Sequence, residues 1–351
     1  MKEKILVGLC SYGMSGRVFH APLLTSHYGF ELYSVLERSK NICQNNYPAI
    51  KRVKQFDELI KDPLVEIIII NIPDHLHAEF TEAALLAGKH VVVEKPFTLD
   101  VASAIRLNKI ASERNLHIFV FQNRRWDSDF LTIRSLIESG RLGRIVEFEA
   151  HFDRFRPEPT PNTWKEDEKL GTGILYNLGA HLIDQALVLF GLPDAVYADL
   201  DIIRSNSKLT DYFTLILYYK RKRAVLRSSY VVKEHPAKYL IHGDLGSFIK
   251  SGQDPQEERL NNGWNGDIEL IGKEPEKNWG RLYIESNLSG HPEVIKSVPG
   301  RYMSFYDEVY KTMRSDFTGA VMAEDGIRVI QIIEAAIQSN KSGTRINISQ
   351  L

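Results

Sequence analysis

Along the first third of the chain, apolar residues fall into short runs set apart by helix-length stretches of mixed polarity. The runs are Ile5–Cys10, Glu31–Leu36, Glu66–Asn71, His90–Val93 and His117–Phe121. Ile67 to Ile70 offers no polar position at all, which predicts a strand covered on both faces, as in the middle of a parallel sheet. Helices are predicted between the runs, among them Thr81–Ala87 and Val101–Glu113, the second preceded by the capping candidates Thr98 and Asp100. Strand and helix in alternation, with buried strands, predict a doubly wound parallel α/β sheet.

After Phe121 the rhythm changes. A helix is predicted over Asp127–Ser139, then a long strand over Arg144–Phe155, a proline-rich loop at 156–164, and a helix over Leu175–Phe190. Extended segments follow at Ala195–Arg204, Tyr212–Tyr219, Ala224–Val232 and Tyr239–Gly243, joined by short turns, which predicts a mostly antiparallel open sheet. The segment Ser251–Gly300 is rich in Gly, Asn, Pro and charge and is expected to be mostly loop. Two helices, Tyr302–Arg314 and Ala323–Asn340, close the chain. The expected organisation is a nucleotide-binding α/β domain over 1–122 and a second α/β domain over 123–351, with no internal repeat.

Composition narrows the field. The chain has 351 residues, is 43% hydrophobic and 25% charged, and has a formal net charge of −1. That balance gives no electrostatic reason to expect nucleic acid or an anionic membrane as partner. The basic run Lys220–Arg223 sits between two strand-like segments and reads as a solvated hairpin tip. Cys10 and Cys43 are the only cysteines, which excludes a disulfide scaffold and suits a cytoplasmic location. No apolar run approaches the roughly 18 residues of a membrane helix, and no His and carboxylate spacing suggests a metal site.

Candidate chemistry lies at the ends of the predicted strands. The first run leads into the turn Ser11-Tyr12-Gly13-Met14-Ser15-Gly16, whose two glycines keep the spacing of a dinucleotide fingerprint while Ser11 stands in its first glycine slot. In this setting the glycines let the backbone approach a pyrophosphate, the following helix supplies N–H groups, and the Ser11 hydroxyl can donate to a phosphate oxygen. The second run ends in Glu37-Arg38-Ser39-Lys40. An acid there suits the ribose 2′-OH of NAD, and the cations and Ser39 suit the 2′-phosphate of NADP, so both cofactors stay open. The next two runs end in Asn71-Ile72-Pro73-Asp74-His75-Leu76-His77 and in Glu94-Lys95-Pro96-Phe97, where ligands of open α/β sheets bind. A lysine at the end of a buried strand can orient a substrate hydroxyl, and Pro96 is a candidate for a cis bond. Further on, Asn177, His181 and Asp184 share one face of the Leu175–Phe190 helix, where a histidine can take a proton from an alcohol.

Together, "GMSG" after the first strand, "EKP" after the fifth and "LGAHLID" in the second half resemble the glucose–fructose oxidoreductase, inositol dehydrogenase and MocA (Gfo/Idh/MocA) family. "QNRRWDSDFLT", "HFDRFRPEP" and the helix around 171–185 are most similar to its NAD(P)-linked scyllo-inositol dehydrogenase-like subgroup. The resemblance covers nearly the whole chain. It implies an N-terminal Rossmann domain, a C-terminal α/β domain whose sheet joins a homodimer or homotetramer, and reversible oxidation of a sugar or cyclitol with NAD or NADP. By position it implies that Lys95 binds the reacting hydroxyl, that His181 is the general base and that the family's catalytic aspartate falls on Asn177. It further implies cofactor contacts from Ser11 to Gly16, Glu37, Arg38, Asn71, Ile72, Pro73, His77, Glu94, Lys95, Asn123 and Trp164, and substrate contacts from Arg124, Arg154, Arg156 and Tyr176. An amide at 177 orients a hydroxyl but cannot accept a proton, so proton removal is expected to rest on His181, assisted by Asp184. Two other activities fit the same resemblance: a glycosidase using NAD for transient oxidation, and a cofactor- or sugar-binding regulator without turnover.

Overall fold

The computed structural model describes residues 3–160, 171–264, 266–285 and 291–348. It divides into two compact units. The first comprises Met1–Asn123, Gln256–Ile271 and Arg301–Ile327, and the second Arg124–Pro255, Gly272–Gly300 and Arg328–Leu351. Two later segments thus complete the first unit.

The first unit is built on six parallel strands: β1 (Ile5–Leu9), β2 (Phe30–Leu36), β3 (Lys51–Val53), β4 (Ile67–Ile70), β5 (His90–Val93) and β6 (Ile118–Val120). They lie in the order β3-β2-β1-β4-β5-β6. The order reverses between β1 and β4, which places a ligand crevice beyond the carboxyl ends of those strands. All four residues of β4 are buried, as its unbroken apolar run requires. The crossovers are α1 (Ala21–Ser26), α2 (Ile42–Asn46), α3 (Phe56–Ile60), α4 (His77–Leu86) and α5 (Val101–Glu113). Asp100 caps α5 through the Ser103 N–H (2.7 Å). Helix Met303–Arg314 returns to this unit and buries Tyr306 and Val309.

The second unit carries a nine-stranded sheet whose strands are antiparallel to their neighbours except for one pair. Its strands are β7 (Ile145–His151), β8 (Ala195–Asp201), β9 (Tyr212–Tyr219), β10 (Lys222–Ser229), β11 (Tyr239–Gly243), β12 (Gly246–Lys250), β13 (Gly280–Ile284), β14 (Glu293–Ile295) and β15 (Ile346–Asn347). The exception is β7 with β10, which are parallel, so their carboxyl ends emerge on the same side. Helices α6 (Ser128–Glu138) and α7 (Ala180–Phe190) belong to this unit. The basic run does form a hairpin tip: Tyr219 pairs with Lys222, and Arg221 takes a left-handed φ of 63°. The segment expected to be mostly loop contains β13, β14 and the helix Gln256–Asn261. Among the described residues, no helix is long and apolar enough to cross a membrane.

Candidate active site

The phosphate-type turn of the first unit is held from one side by a single amide. Asn71, at the end of β4, accepts from the Ser11 N–H (2.9 Å) and donates back to the Ser11 carbonyl (2.8 Å). The Ser11 hydroxyl accepts from the Gly13 N–H (3.1 Å), closing the turn locally. Among the described residues only Asn115 and Arg221 are non-glycine residues with positive φ, so the Ser11 position does not need glycine. Gly16 has no substitute, because a Cβ there would lie 2.2 Å from the Ser11 carbonyl oxygen. The helix begins at Met14, and its first backbone bond runs from Arg17 N–H to Gly13 O (3.1 Å). The N–H groups of Met14, Ser15 and Gly16 precede that bond and are the donors a helix start offers an anion. Residues Gly16–His20 form a π-turn, a local widening common at functional sites. Tyr12 is buried and accepts from Asn46 (3.0 Å), which ties the turn to α2.

At the end of β2 the acid and the cations part company. Glu37 is buried, and its carboxylate accepts from the Cys43 N–H (3.0 Å) at the start of α2. Burial pushes this carboxyl up, but the N–H groups of Cys43 and Ile42, with Arg52 behind them, hold it below the usual range. Arg38, Ser39 and Lys40 are exposed. Arg52 donates to the carbonyls of Glu37 (2.9 Å) and Arg38 (3.1 Å), adding positive charge at the same place.

The loops after β4 and β5 are joined by His77, whose ring nitrogens lie 2.7 Å from the Pro96 carbonyl and 3.0 Å from that of Ile72. Pro73 begins the turn that leads into α4. Lys95 is half-buried, and the Lys95–Pro96 bond is cis. Beside it, Glu94 lies 3.0 Å from His20 Nε2, and His20 Nδ1 lies 2.7 Å from the Tyr306 hydroxyl. Burial, and then the Glu94 charge, push the Tyr306 phenol up, so it stays protonated beside Nδ1. Burial pushes the Glu94 carboxyl up, yet His20, then Lys95 and His77, hold it below the usual range, so a carboxylate stands next to Lys95. Asn123, buried, closes this unit's set at the end of β6.

The second unit gathers its own set around Phe152, just beyond β7. The Arg124 and Arg154 guanidinium carbons lie 4.6 and 4.5 Å from the ring centroid, Lys238 Nζ 5.5 Å and the His181 ring 6.3 Å. Arg154 donates to Gln253 (3.0 Å), and Arg124 pairs with Asp127 (3.3 Å). Asn177 and His181 lie where the π-turn Leu175–Gly179 passes into α7, and Tyr176 is buried beside them. Gly173 sets this helix start at φ 93°, with the Thr210 carbonyl 2.9 Å from where a Cβ would stand. Further along α7, both oxygens of Asp184 accept from Arg125, at 2.8 and 2.7 Å. Gln185 accepts from Tyr239 (2.8 Å) and donates to the Arg124 carbonyl (3.1 Å), so α7 anchors the Arg124-Arg125 segment. Arg156 is exposed, and its backbone N–H donates to the Tyr230 carbonyl (2.6 Å). Trp164 lies outside the described residues.

Sequence reading missed His20, Tyr306, Phe152, Arg125 and Tyr230. His20 meets Tyr306, Arg125 meets Asp184 and Tyr230 meets Asn177 across 286, 59 and 53 residues, and Phe152 and Arg125 lie inside quoted motifs that gave them no role. The donor set of the first unit fits a dinucleotide: a helix start for the pyrophosphate, cations at the end of β2, and loops beyond β4 and β5 tied together.

Comparison with known proteins agrees with both units. Residues 5–122 match the family described as oxidoreductase family, NAD-binding Rossmann fold. Residues 134–348 match its companion, oxidoreductase family, C-terminal alpha/beta domain. The chain is 39% identical to the uncharacterized oxidoreductase YdgJ of Escherichia coli, over 97% of this chain and 98% of that one. It is 38% identical to the scyllo-inositol 2-dehydrogenase (NADP(+)) IolW of Bacillus subtilis, over 97% of this chain and 94% of the other. The solved structure of the yvaA oxidoreductase from Bacillus subtilis superposes with a TM-score of 0.93 at 37% identity, covering 98% and 99% of the two chains.

Proposed function

The chain belongs to the Gfo/Idh/MocA oxidoreductase family, and from that premise we propose that it oxidises a secondary alcohol of a cyclitol or sugar reversibly, with NADP as the preferred cofactor. The observation that carries the cofactor choice is at the end of β2. Glu37 is committed to the start of α2, while Arg38, Ser39 and Lys40 are exposed. Cations and a hydroxyl there hold a 2′-phosphate, and the IolW relative, an NADP(+) enzyme by name, supports the same choice.

Bound NADP would supply the hydride acceptor. The chain's own residues do the rest. The N–H groups of Met14, Ser15 and Gly16 take the pyrophosphate, and Asn71, Ile72, Pro73, His77 and Glu94 shape the loops beside it. Lys95 donates a hydrogen bond to the reacting oxygen, with the Glu94 carboxylate favouring its charged form. His181 takes the proton from that oxygen as the carbon gives up hydride. Arg124, Arg154 and Tyr176 border the polyol, and Asn177 reads one of its hydroxyls. The exposed Tyr197 of β8 and Tyr283 of β13 suit self-association through the second sheet, which sedimentation analysis tests.

The test is cofactor reduction across a panel of inositols and aldoses, with NADP and NAD compared. Turnover with a cyclitol, faster with NADP, supports the reading. Absence of turnover on every panel member, with cofactor still bound, would contradict it and favour the regulator.

A further inference from the structure

In the first unit, one buried ring joins the helix start after Gly16 to the loop that carries Lys95. His20 closes the π-turn Gly16–His20 and is fully buried. Its Nε2 lies 3.0 Å from Glu94 Oε1, and its Nδ1 lies 2.7 Å from the hydroxyl of Tyr306 on the helix Met303–Arg314. A phenol hydroxyl both gives and takes hydrogen bonds, so it serves Nδ1 in either form of the ring.

Aromatic packing holds the pair in place. The Phe121 centroid is 4.5 Å from that of His20, and Phe30 and Phe305 stand 5.5 and 5.3 Å from Tyr306. Tyr306, His20 and Glu94 thus form a row from packed interior to the end of β5, where the Glu94 side chain is partly exposed. The groups that face Glu94 are His20 from the π-turn, His77 from α4, Lys95 from its own loop and, at one remove, Tyr306. A glutamate side chain is long and flexible, and its charge supports a neighbouring ammonium only as far as it is kept in place.

Resting on the part given to Lys95 above, we propose that His20, anchored by Tyr306, is a positioning residue that holds the Glu94 carboxylate beside Lys95 and so keeps that lysine ready to donate to the reacting oxygen. His20 and Tyr306 act through Glu94 and transfer nothing themselves.

The test combines a measurement without turnover and one with it, both on the intact protein. Tyr306→Phe removes only the hydroxyl and keeps the ring among Phe30, Phe121 and Phe305. His20→Gln keeps an amide N–H for Glu94 and loses the link to Tyr306, and His20→Leu loses both. In cofactor-free protein, competitive acylation read by mass spectrometry compares Lys95 with the exposed Lys109. A looser Glu94 disfavours the Lys95 ammonium. At a fixed, mildly alkaline pH, Lys95 is therefore expected to react about threefold faster in Tyr306→Phe and His20→Gln, and faster still in His20→Leu. The midpoint of labelling moves to lower pH and its high-pH plateau stays. In turnover with the polyol, kcat falls about tenfold, the alkaline limb of kcat/KM moves to lower pH, and the KM for NADP changes less than about twofold.

A wild-type labelling midpoint in Tyr306→Phe and His20→Gln would overturn the proposal, whether or not His20→Leu folds. So would a raised plateau at an unchanged midpoint, the mark of a loosened loop. Weakened NADP binding at unchanged kcat would overturn it too, by making the row a brace for the phosphate turn alone. A wild type inactive on the whole panel sinks the polyol reading, and the labelling then decides this inference by itself.

Discussion

Asn71 holds Ser11 with both ends of its amide, accepting from the Ser11 N–H at 2.9 Å and donating to the Ser11 carbonyl at 2.8 Å. Residues from two different strand ends thereby share one turn, and the departure from the glycine fingerprint at position 11 is absorbed without strain.

That clamp gives the first prediction. Asn71→Ala removes both bonds and leaves the backbone groups of Ser11 without them, at a cost of about 1–3 kcal/mol in stability. Cofactor affinity, read by fluorescence titration, is expected to fall about tenfold or more. Asn71→Asp keeps the acceptor but cannot donate, so it should fall between the two. Unchanged binding in Asn71→Ala would show that the turn is held by other means.

On the proposed NADP reading, cofactor choice rests on Arg38. Arg38→Ala is expected to weaken binding of NADP about tenfold and that of NAD less than twofold, since one charge-assisted bond to the 2′-phosphate is lost. Equal losses for both cofactors would place Arg38 away from the ribose.

Asp184 is predicted to be structural for the Arg124-Arg125 segment. Asp184→Asn leaves the largely buried Arg125 guanidinium facing a neutral partner and should cost roughly 2–4 kcal/mol. Thermal unfolding reads the stability change, and a raised polyol KM reads the loosened segment. A stable variant with an altered pH limb would instead assign Asp184 to the proton path.

His90 and His117 stack at the starts of β5 and β6, 5.1 Å between centroids, and the His117 N–H donates to His90 Nδ1 (3.0 Å). Burial, with the nearby His117 and Arg314 charges, pushes His90 down to about 4, and burial lowers His117 too. The folded state therefore binds fewer protons than the unfolded state between these values and the ordinary 6.5. Stability is complete above about pH 6.5 and is lost as pH falls toward 4, by about 2 kcal/mol after allowing for partial exposure. Urea midpoints of wild type and His90→Asn should converge on acidification, because the variant lacks this ionisation. Parallel pH curves would contradict the assignment.

The parts of this fold that are legible in the sequence are those with a local cause. Ile67–Ile70 announces a central parallel strand because every position is apolar, and the turn before Gly16 announces itself by spacing. The pattern at 251–300 hides β13 and β14 because both are short and their exposed positions mix charge with apolar groups, Arg281 with Tyr283 and Glu293 with Val294. The π-turns at Gly16–His20 and Leu175–Gly179 leave no sequence signature, since they depend on what the helices pack against. Arg125 with Asp184 and Asn177 with Tyr230 are 59 and 53 residues apart, so only the folded chain pairs them. Motif spacing is thus legible in the sequence, and Asn71 and His77 with it, whereas pairings such as these exist only once the chain is folded.

The most direct measurement is transfer of deuterium from the carbinol carbon of a labelled cyclitol to nicotinamide C4, in wild type and in Lys95→Met. The account predicts label on C4 in the wild type, and transfer slowed at least about a hundredfold in the variant at undiminished NADP affinity. Label lost to solvent, or transfer unchanged in Lys95→Met, would contradict it.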